Sequence, residues 1–221
     1  MKEITVLVPV YNMQRYIARC IRSLLSQSFS KNSYEIVTID DGSTDGSGKI
    51  IDQFIEPKLH KIRKIINCEN LGLPASLNKA ISDTDSKYIV RVDADDFVNF
   101  HFLNILYEFA EQNEDKAAVA CDYLLVDDEE NVIRRCSAYE DPIACGILFR
   151  RTVLKDLGGY DERFRAHEDK EFRVRFDQKY SMAYASIPMY RYRRHRTNMT
   201  NDLDSMALHL DMLQEKHPQS T

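Results

Sequence analysis

The sequence predicts an α/β fold with a mostly parallel central sheet flanked by helices. In the first hundred residues, apolar runs of strand length alternate with segments whose apolar residues recur at helical spacing. This alternation is typical of parallel strands joined by right-handed crossovers. Three of the strands end in turns rich in Asp or Asn, and parallel sheets bind ligands beyond the carboxyl ends of their strands. We therefore expect a binding site at that edge.

The first part of the chain contains four predicted strands and three predicted helices. The strands are expected at residues 4–8, 35–39, 64–67 and 88–92. Apolar residues between Met13 and Leu25 recur at helical spacing, which predicts the first helix. Ser43 or Thr44 suits the N-cap of the second helix. Pro74 suits the first turn of the third helix.

The second half of the chain is less regular. An acidic turn at residues 127–130 joins two predicted strands, and we expect it to be a solvated hairpin tip. Gly158 and Gly159 are typical of a helix end and follow a helix that begins near Arg151. The remaining predictions are strands at 117–126, 132–137, 181–186 and 189–194, and helices at 100–110, from Glu168 onwards and at 203–216.

Composition narrows the class of protein. The 221 residues include 30 Lys+Arg and 35 Asp+Glu, and the net charge of −5 argues against non-specific nucleic-acid binding. No apolar run approaches the ~18 residues that cross a bilayer, and the N-terminus enters a strand directly. The five cysteines show no C-x-x-C spacing, which indicates reduced core thiols in a cytosolic protein.

The segment 88–96 is the strongest functional signal, because a short apolar strand leads directly into Asp93, Asp95 and Asp96. Like charges this close repel one another, so they indicate a bound cation such as Mg²⁺ or Mn²⁺. The alternative is an acidic turn that caps the next helix, since Asp is a favoured N-cap residue. The triplet alone favours neither reading.

Seven segments in order resemble the bacterial-type family 2 glycosyltransferases, which have the GT-A fold. They cover nearly the whole chain, and together they are far more specific than any single D-x-D triplet. The matching segments are residues 8–12, 40–45, 70–72 with Asn78, 93–96, 158–164, 168–169 and 190–195.

The resemblance implies a nucleotide site. Pro9 and Tyr11 would pack against the base, with proline fixing the backbone and the tyrosine ring offering a stacking face. Asp41 would accept a hydrogen bond from the base, and Asp93 would face the ribose. A rigid strand exit with a core tyrosine is the structural alternative for the first turn, and a turn with a helix cap is the alternative for residues 40–43.

The resemblance also implies a metal and diphosphate site. Asp95 would bind Mn²⁺ or Mg²⁺ held by the donor's diphosphate, with His195 as a further metal or diphosphate contact. Arg191 and Arg193 are candidate diphosphate ligands, because strand alternation places them on one face and guanidinium groups bind phosphate bidentately. Neutralisation of acidic neighbours or of membrane headgroups is the alternative role for these cations.

Asp96, the remaining residue of the triplet, and the acidic pair Glu168 and Asp169 have separate expected roles. Asp96 is expected to cap a helix that begins near Phe97, with an outer-shell contact to the metal ion as the alternative. Asp169 would be the general base that removes the acceptor hydroxyl's proton. The alternative for Glu168 and Asp169 is a favourable interaction with the helix dipole.

Residues 1–221 are therefore expected to form a single GT-A domain, with a nucleotide-sugar-binding half at 1–98 and an acceptor and catalytic-base half at 99–221. The expected reaction is metal-dependent, inverting transfer from a UDP-sugar to a hydroxyl of a glycan or lipid-linked acceptor in cell-surface polysaccharide synthesis. The alternatives are a non-catalytic nucleotide-sugar-binding module and a sugar nucleotidyltransferase. A nucleotidyltransferase would carry a glycine-rich basic loop after the first strand, where this chain has residues 9–12.

The expected location is cytoplasmic, with peripheral contact at the inner face of the membrane as an option. The last helix carries Met206, Leu210 and Leu213 at helical spacing. It could pack on the domain, pair with a second copy in a homodimer or touch lipid, and we predict that it packs on the domain.

Overall fold

The parallel half of the sheet is as predicted. The structure is a computed structural model that describes residues 2–55, 62–196, 198 and 203–218. Its first four strands are β1 (Ile4–Val10), β2 (Tyr34–Asp40), β3 (Ile62–Ile66) and β4 (Tyr88–Arg91). They are parallel and lie in the order β3-β2-β1-β4. The carboxyl ends of β1, β2 and β4 therefore meet at one edge.

The second half of the chain continues the same sheet. Its strands are β5 (Phe97–Val98), β6 (Ala118–Val126), β7 (Val132–Cys136), β8 (Ile147–Arg150) and β9 (Met182–Arg193). β8 lies antiparallel to β4, and the order continues β8-β6-β9-β5, with β7 on β6. One sheet thus joins the two predicted halves, and β9 reaches the edge where β4 ends.

Seven helices flank this sheet in the described part of the chain, at the positions the helical spacing indicates. They are α1 (Ile17–Leu25), α2 (Ser47–Asp52), α3 (Leu73–Ser82), α4 (Phe102–Gln112), α5 (Arg151–Asp156), α6 (Glu168–Asp177) and α7 (Leu203–Lys216). None of the described helices combines the length and apolar character needed to cross a bilayer. Lys216 donates to Asp161 and Glu171 at 2.7 and 2.6 Å, so α7 contacts the domain, as predicted.

The core lies on both faces of the sheet. Val6 and Val8 of β1 belong to one buried cluster, and Leu7 between them belongs to the other. This is the burial expected of a central parallel strand. Four of the five cysteines are buried, as predicted, whereas Cys68 is exposed.

The secondary structure differs from the sequence prediction in several places, and the strands β5 and β8 were not predicted. The helix α2 begins at Ser47, because Asp45 Oδ1 accepts the Ser47 N–H at 2.8 Å. Ser43 Oγ instead accepts the N–H of Asn12 at 3.1 Å, so neither Ser43 nor Thr44 is the cap. The strands predicted at 181–186 and 189–194 form the single strand β9, whose register against β6 shifts between Cys121 and Tyr123.

Candidate active site

A cavity of about 700 Å³ opens at the carboxyl edge of the parallel strands. The turns after β1, β2 and β4 supply most of its wall, as the sheet topology requires. Its lining includes Pro9, Tyr11, Asp41, Asp93, Asp95 and Arg165. The structure therefore brings the four residues of the predicted nucleotide site together with the predicted metal ligand Asp95.

The turn after β1 presents an aromatic ring to this cavity. Tyr11 is 45% exposed, which excludes the alternative of a core tyrosine. Asn12 has a left-handed φ of 55°, and its Oδ1 accepts the Thr44 N–H at 2.8 Å. This bond fixes the first turn against the second, and the Tyr11 ring is left available for stacking.

Asp41 is buried at the inner end of the cavity. Its Oδ1 accepts the side-chain amide of Asn67 at 2.8 Å and the Leu71 N–H at 3.0 Å. Its Oδ2 accepts the Gly72 N–H at 2.9 Å. A carboxylate oxygen can accept two hydrogen bonds, so Oδ2 retains acceptor capacity. Asp41 therefore shapes the turn before α3 and can also accept a ligand's N–H.

Asp93 is held by a residue that the sequence analysis did not single out. Arg91, at the end of β4, donates to both carboxylate oxygens of Asp93 at 2.5 and 3.0 Å. Its third nitrogen donates to Glu168 at 2.9 Å. Burial disfavours the charged guanidinium, but the two carboxylates outweigh this effect and raise the pKa of Arg91. A charged residue at the end of a buried strand, directly before an acidic triplet, was the available signal.

Glu168 therefore links the donor side of the site to α6. It is 5% exposed, and burial raises the pKa of its carboxyl, while the charge of Arg91 opposes the shift. A buried carboxylate paired with a buried guanidinium is costly to break, because either partner would be left uncompensated. Arg91 thus connects Asp93 with the residue that precedes the predicted base.

Asp95 and His195 are in contact, as the predicted metal site requires. His195 Nε2 lies 2.9 Å from Asp95 Oδ2, and the Asn198 amide donates to the same oxygen at 3.3 Å. Within the described part of the chain, Asp95 Oδ1 accepts no hydrogen bond. The ring of Tyr16 stacks on His195 with 4.7 Å between centroids. These contacts orient one Asp95 oxygen inward and leave the other available.

Asp96 does not cap a helix, so that prediction is wrong. Residues 97–98 form β5, and the next helix begins at Phe102. The Asp96 carboxylate is 2% exposed and accepts the Tyr190 hydroxyl at 2.7 Å and the Arg193 N–H at 2.8 Å. Burial and the charges of Asp95 and Asp93 raise the pKa of this carboxyl well above its usual range. Asp96 therefore joins β9 to the turn after β4.

Asp169 lies beside a different and smaller cavity, of about 200 Å³. This cavity is lined mainly by apolar side chains, including Ile143, Phe149, Tyr160 and Phe172. Asp169 is partly buried in the first turn of α6. No hydrogen bond from the described residues reaches its carboxylate, so this group can accept a proton from a ligand.

The two arginines predicted as diphosphate ligands make contacts within the protein. Arg191 donates to the carbonyls of Pro188 and Tyr190 at 2.8 and 3.3 Å. Arg193 is 3% exposed and donates to the Asp95 carbonyl at 2.8 Å and to Glu130 at 3.0 Å. Neither lines the 700 Å³ cavity. The ion pair of Arg193 with Glu130 corresponds to the alternative in which these cations neutralise acidic neighbours, whereas Arg191 contacts main-chain carbonyls.

Arg165 is the cation that lines the cavity, and the sequence analysis did not identify it. It is exposed, and within the described residues its guanidinium forms no hydrogen bond or ion pair. It lies beside Gly72, close to the turn that holds Asp41. Its position between the matched segments 158–164 and 168–169 was the only available signal.

Two groups of side chains could hold a divalent cation. Ligand atoms of Asp93, Asp96 and Cys145 lie within 4.8 Å of one another. That group is already satisfied, because Arg91 neutralises Asp93 and the Cys145 thiol donates to Asp96 at 3.7 Å. The Asp95–His195 pair fits a cation better, since a carboxylate suits Mn²⁺ or Mg²⁺ and a neutral imidazole nitrogen is a common further ligand.

In sequence, the chain is similar to a glucosyltransferase over about half of its length. The poly(ribitol-phosphate) beta-glucosyltransferase of Bacillus spizizenii is 36% identical over 113 residues, which are 51% of this chain and 18% of that protein. The chain therefore spans less than a fifth of this relative.

In fold, the chain is similar to two solved structures. S. aureus TarS 1–349 in complex with UDP-GlcNAc superposes with a TM-score of 0.77 at 22% identity, covering 91% of this chain and 61% of that chain. The mannosyltransferase PcManGT from Pyrobaculum calidifontis, in complex with GDP-Man and Mn²⁺, gives 0.78 at 19% identity, covering 99% and 65%. These similarities confirm the predicted GT-A fold.

The family described as Glycosyl transferase family 2 matches residues 5–181. This match includes the turns after β1, β2 and β4, and it extends through α6 with Glu168 and Asp169. The chain belongs to glycosyl transferase family 2.

Proposed function

We propose that the protein is a metal-dependent, inverting glycosyltransferase that uses a UDP-sugar. The observation that carries this proposal is the cavity at the carboxyl edge, where Tyr11, Asp41, Asp93 and Asp95 line one space. An aromatic face, a buried acceptor and two carboxylates are the groups that a base, a ribose and a metal-bound diphosphate require. A structural neighbour's complex with UDP-GlcNAc supports the choice of donor.

The base and ribose of the donor would contact the parallel half of the chain, residues 1–98. The Tyr11 ring would stack on the base, and Pro9 would fix the turn. Asp41 Oδ2 would accept the ring N–H of uracil, because among the described residues only the Gly72 N–H donates to it. Asp93, oriented by Arg91, would accept from the ribose hydroxyls.

Asp95 and His195 would hold Mn²⁺ or Mg²⁺ together with the diphosphate. When bound, the ion stabilises negative charge on the departing nucleoside diphosphate. Arg165 is the cation that we assign to the donor, since Arg191 and Arg193 are committed to protein groups. The earlier assignment of Arg191 and Arg193 to the diphosphate would require both side chains to break these bonds.

Asp169 would act as the general base from residues 99–221. The acceptor hydroxyl's oxygen attacks the anomeric carbon, and its proton passes to the Asp169 carboxylate. The bond from that carbon to the diphosphate oxygen breaks, and its electron pair leaves with the nucleoside diphosphate. A single displacement inverts the configuration and needs no covalent intermediate. The apolar cavity beside Asp169 would receive the acceptor.

The acceptor is proposed as a glycan or a lipid-linked carrier in cell-surface polysaccharide synthesis, which a poly(ribitol-phosphate) glucosyltransferase relative supports. A cytoplasmic location, peripheral membrane contact and homodimer formation stay predictions. A non-catalytic binding module is the second candidate. It is less favoured, because Asp169 retains an available carboxylate beside a cavity.

Calorimetric titration of UDP with Mn²⁺, and separately with EDTA, tests the proposal. The wild type should bind UDP more tightly with Mn²⁺, and Asp95→Ala should remove this difference while retaining the metal-free affinity. Equal UDP affinities with Mn²⁺ and EDTA in the wild type would contradict the metal assignment. Absence of UDP binding under both conditions would contradict the proposed function.

A further inference from the structure

The turn between β6 and β7, residues 127–130, contacts the donor site and is named the acidic tip below. The sequence predicts that it is a solvated hairpin tip. Glu129 and Glu130 are exposed, in agreement with this prediction, but the carboxylates of Asp128 and Glu130 also form hydrogen bonds with Tyr16 and Arg193. None of the roles proposed above for the donor cavity involves this segment.

The first connection runs through Arg193. Glu130 Oε1 accepts from an Arg193 nitrogen at 3.0 Å, and it also accepts from Arg19 Nε at 3.1 Å. Arg193 Nε donates to the main-chain carbonyl of Asp95 at 2.8 Å. Arg193 is 3% exposed, and within the described residues Glu130 is the carboxylate that forms an ion pair with it. Glu130 therefore orients the guanidinium that holds the Asp95 backbone.

The second connection runs through Tyr16 and His195. Asp128 Oδ1 accepts the Tyr16 hydroxyl at 2.9 Å. The Tyr16 ring stacks on His195, whose Nε2 lies 2.9 Å from Asp95 Oδ2. The acidic tip thus supports both the backbone and the carboxylate of Asp95, by two separate sets of side chains.

The acidic tip itself is held rigidly. Asp127 Oδ1 accepts the N–H groups of Glu129 and Asn131 at 3.0 and 2.8 Å. The Asp128 carbonyl accepts from Arg193 at 2.9 Å. Glu130 has a φ of 68°, a left-handed conformation that is strained for a residue other than glycine and that the surrounding contacts must maintain.

We propose that two carboxylates of the acidic tip, Asp128 and Glu130, position the metal ligands of the donor site, with Glu130 as the principal positioning residue. The inference rests on the proposed function, because it concerns the metal–diphosphate contact of Asp95 and His195. Without the Glu130 charge, the buried Arg193 guanidinium lacks its compensating carboxylate and its orientation against Asp95 is no longer fixed. The expected consequence is weaker metal-dependent binding of the donor.

The tip contains its own control residue. Glu129 is exposed, and its side chain forms no hydrogen bond with the described residues. Glu129→Gln and Glu130→Gln remove the same charge from neighbouring positions. A general electrostatic effect of the acidic tip would affect both variants equally, whereas a positioning role predicts that only Glu130→Gln changes donor binding.

The experiment is calorimetric titration of UDP into the wild type and the two variants, with Mn²⁺ and with EDTA, alongside urea unfolding. Glu130→Gln should lose about tenfold in Mn²⁺-dependent UDP affinity, the scale of a lost outer-shell partner, with its metal-free affinity unchanged. Glu129→Gln should match the wild type in both titrations. If Glu130→Gln is unfolded, Asp128→Ala, which removes the acceptor of the Tyr16 hydroxyl, replaces it with the same expectation.

Three outcomes would overturn the inference. The first is a folded Glu130→Gln variant with wild-type affinity in Mn²⁺. The second is an equal loss of affinity with and without the metal, which indicates a structural role alone. A wild type that binds no UDP overturns the inference together with the proposed function, and this third result is separate from the first two.

Discussion

The Tyr190 hydroxyl lies between two residues of the turn after β4. It donates to Asp96 Oδ2 at 2.7 Å and accepts the Asp93 N–H at 3.1 Å. Both Tyr190 and Asp96 are buried. This pair joins β9 to the turn after β4, so a strand from the second half of the chain fixes the carboxylates that line the 700 Å³ cavity.

Tyr190→Phe is expected to destabilise the protein by about 1–3 kcal/mol, because it leaves the Asp93 N–H without a partner among the described residues and removes one of the hydrogen bonds that the buried Asp96 carboxylate accepts. It should also raise the KM for the donor. The control is Tyr88→Phe, which removes a hydroxyl bonded to Glu111 and Arg150 at the other end of β4. Urea unfolding and donor kinetics on both variants provide the measurement, and an unchanged donor KM in Tyr190→Phe would contradict the positioning role.

Asp41→Asn is expected to weaken UDP binding and to destabilise the fold by about 1–3 kcal/mol. The amide keeps one acceptor oxygen, whereas Asp41 accepts on both oxygens, from Leu71 and Gly72 among others. The adjacent Asp40 accepts the Ser43 N–H through one oxygen alone, so Asp40→Asn can retain that bond. Calorimetry should detect the loss of UDP affinity in Asp41→Asn only, and equal losses in the two variants would count against a base contact.

Acid should weaken the attachment of α7 through Glu171. Burial favours the neutral form of Glu171, but Arg175 and Lys216 outweigh it and lower the pKa of this carboxyl below its ordinary value of 4.5. Its stabilising contribution is therefore fully present above pH 4.5 and is lost as the pH falls through the lower folded-state value.

Urea unfolding of the wild type and of Glu171→Gln, from neutral pH to below pH 4.5, tests whether the stabilising contribution of Glu171 depends on pH. The difference in unfolding free energy should be largest near neutral pH, at about pH 7, and should shrink below about pH 4. Glu114→Gln removes an exposed carboxylate with no hydrogen bond to the described residues, and it should show no such dependence. A Glu171→Gln difference that stays constant with pH would contradict the assignment.

The parallel half of the fold and its ligand-binding edge could be predicted from sequence, because both follow from local patterns. Apolar runs define the strands, and chain topology brings the carboxyl ends of β1, β2 and β4 together. The acidic tip could not be predicted in the same way. The prediction that it is solvated follows from its acidic composition alone. Its contacts with Arg19 and Arg193 join residues more than 60 positions apart.

Individual side-chain positions were predictable where a motif specified them and not where a distant strand decided them. Asp95 and His195 meet as expected, although 100 residues separate them. Asp96 was assigned to a local cap, since no sequence pattern reveals that Tyr190 and the Arg193 backbone bond to it. Strand alternation indicated that Arg193 faces the site, but it could not reveal that Glu130 already pairs with its guanidinium.

The most direct test of the central claim is UDP release by Asp169→Asn, using the UDP-sugar that gives the largest thermal shift in the presence of Mn²⁺. The control is Asp177→Asn, at the other end of α6. Loss of a general base predicts that Asp169→Asn is slower by about a hundredfold or more, with UDP affinity unchanged and with Asp177→Asn fully active. Wild-type turnover by a folded Asp169→Asn variant would contradict the account.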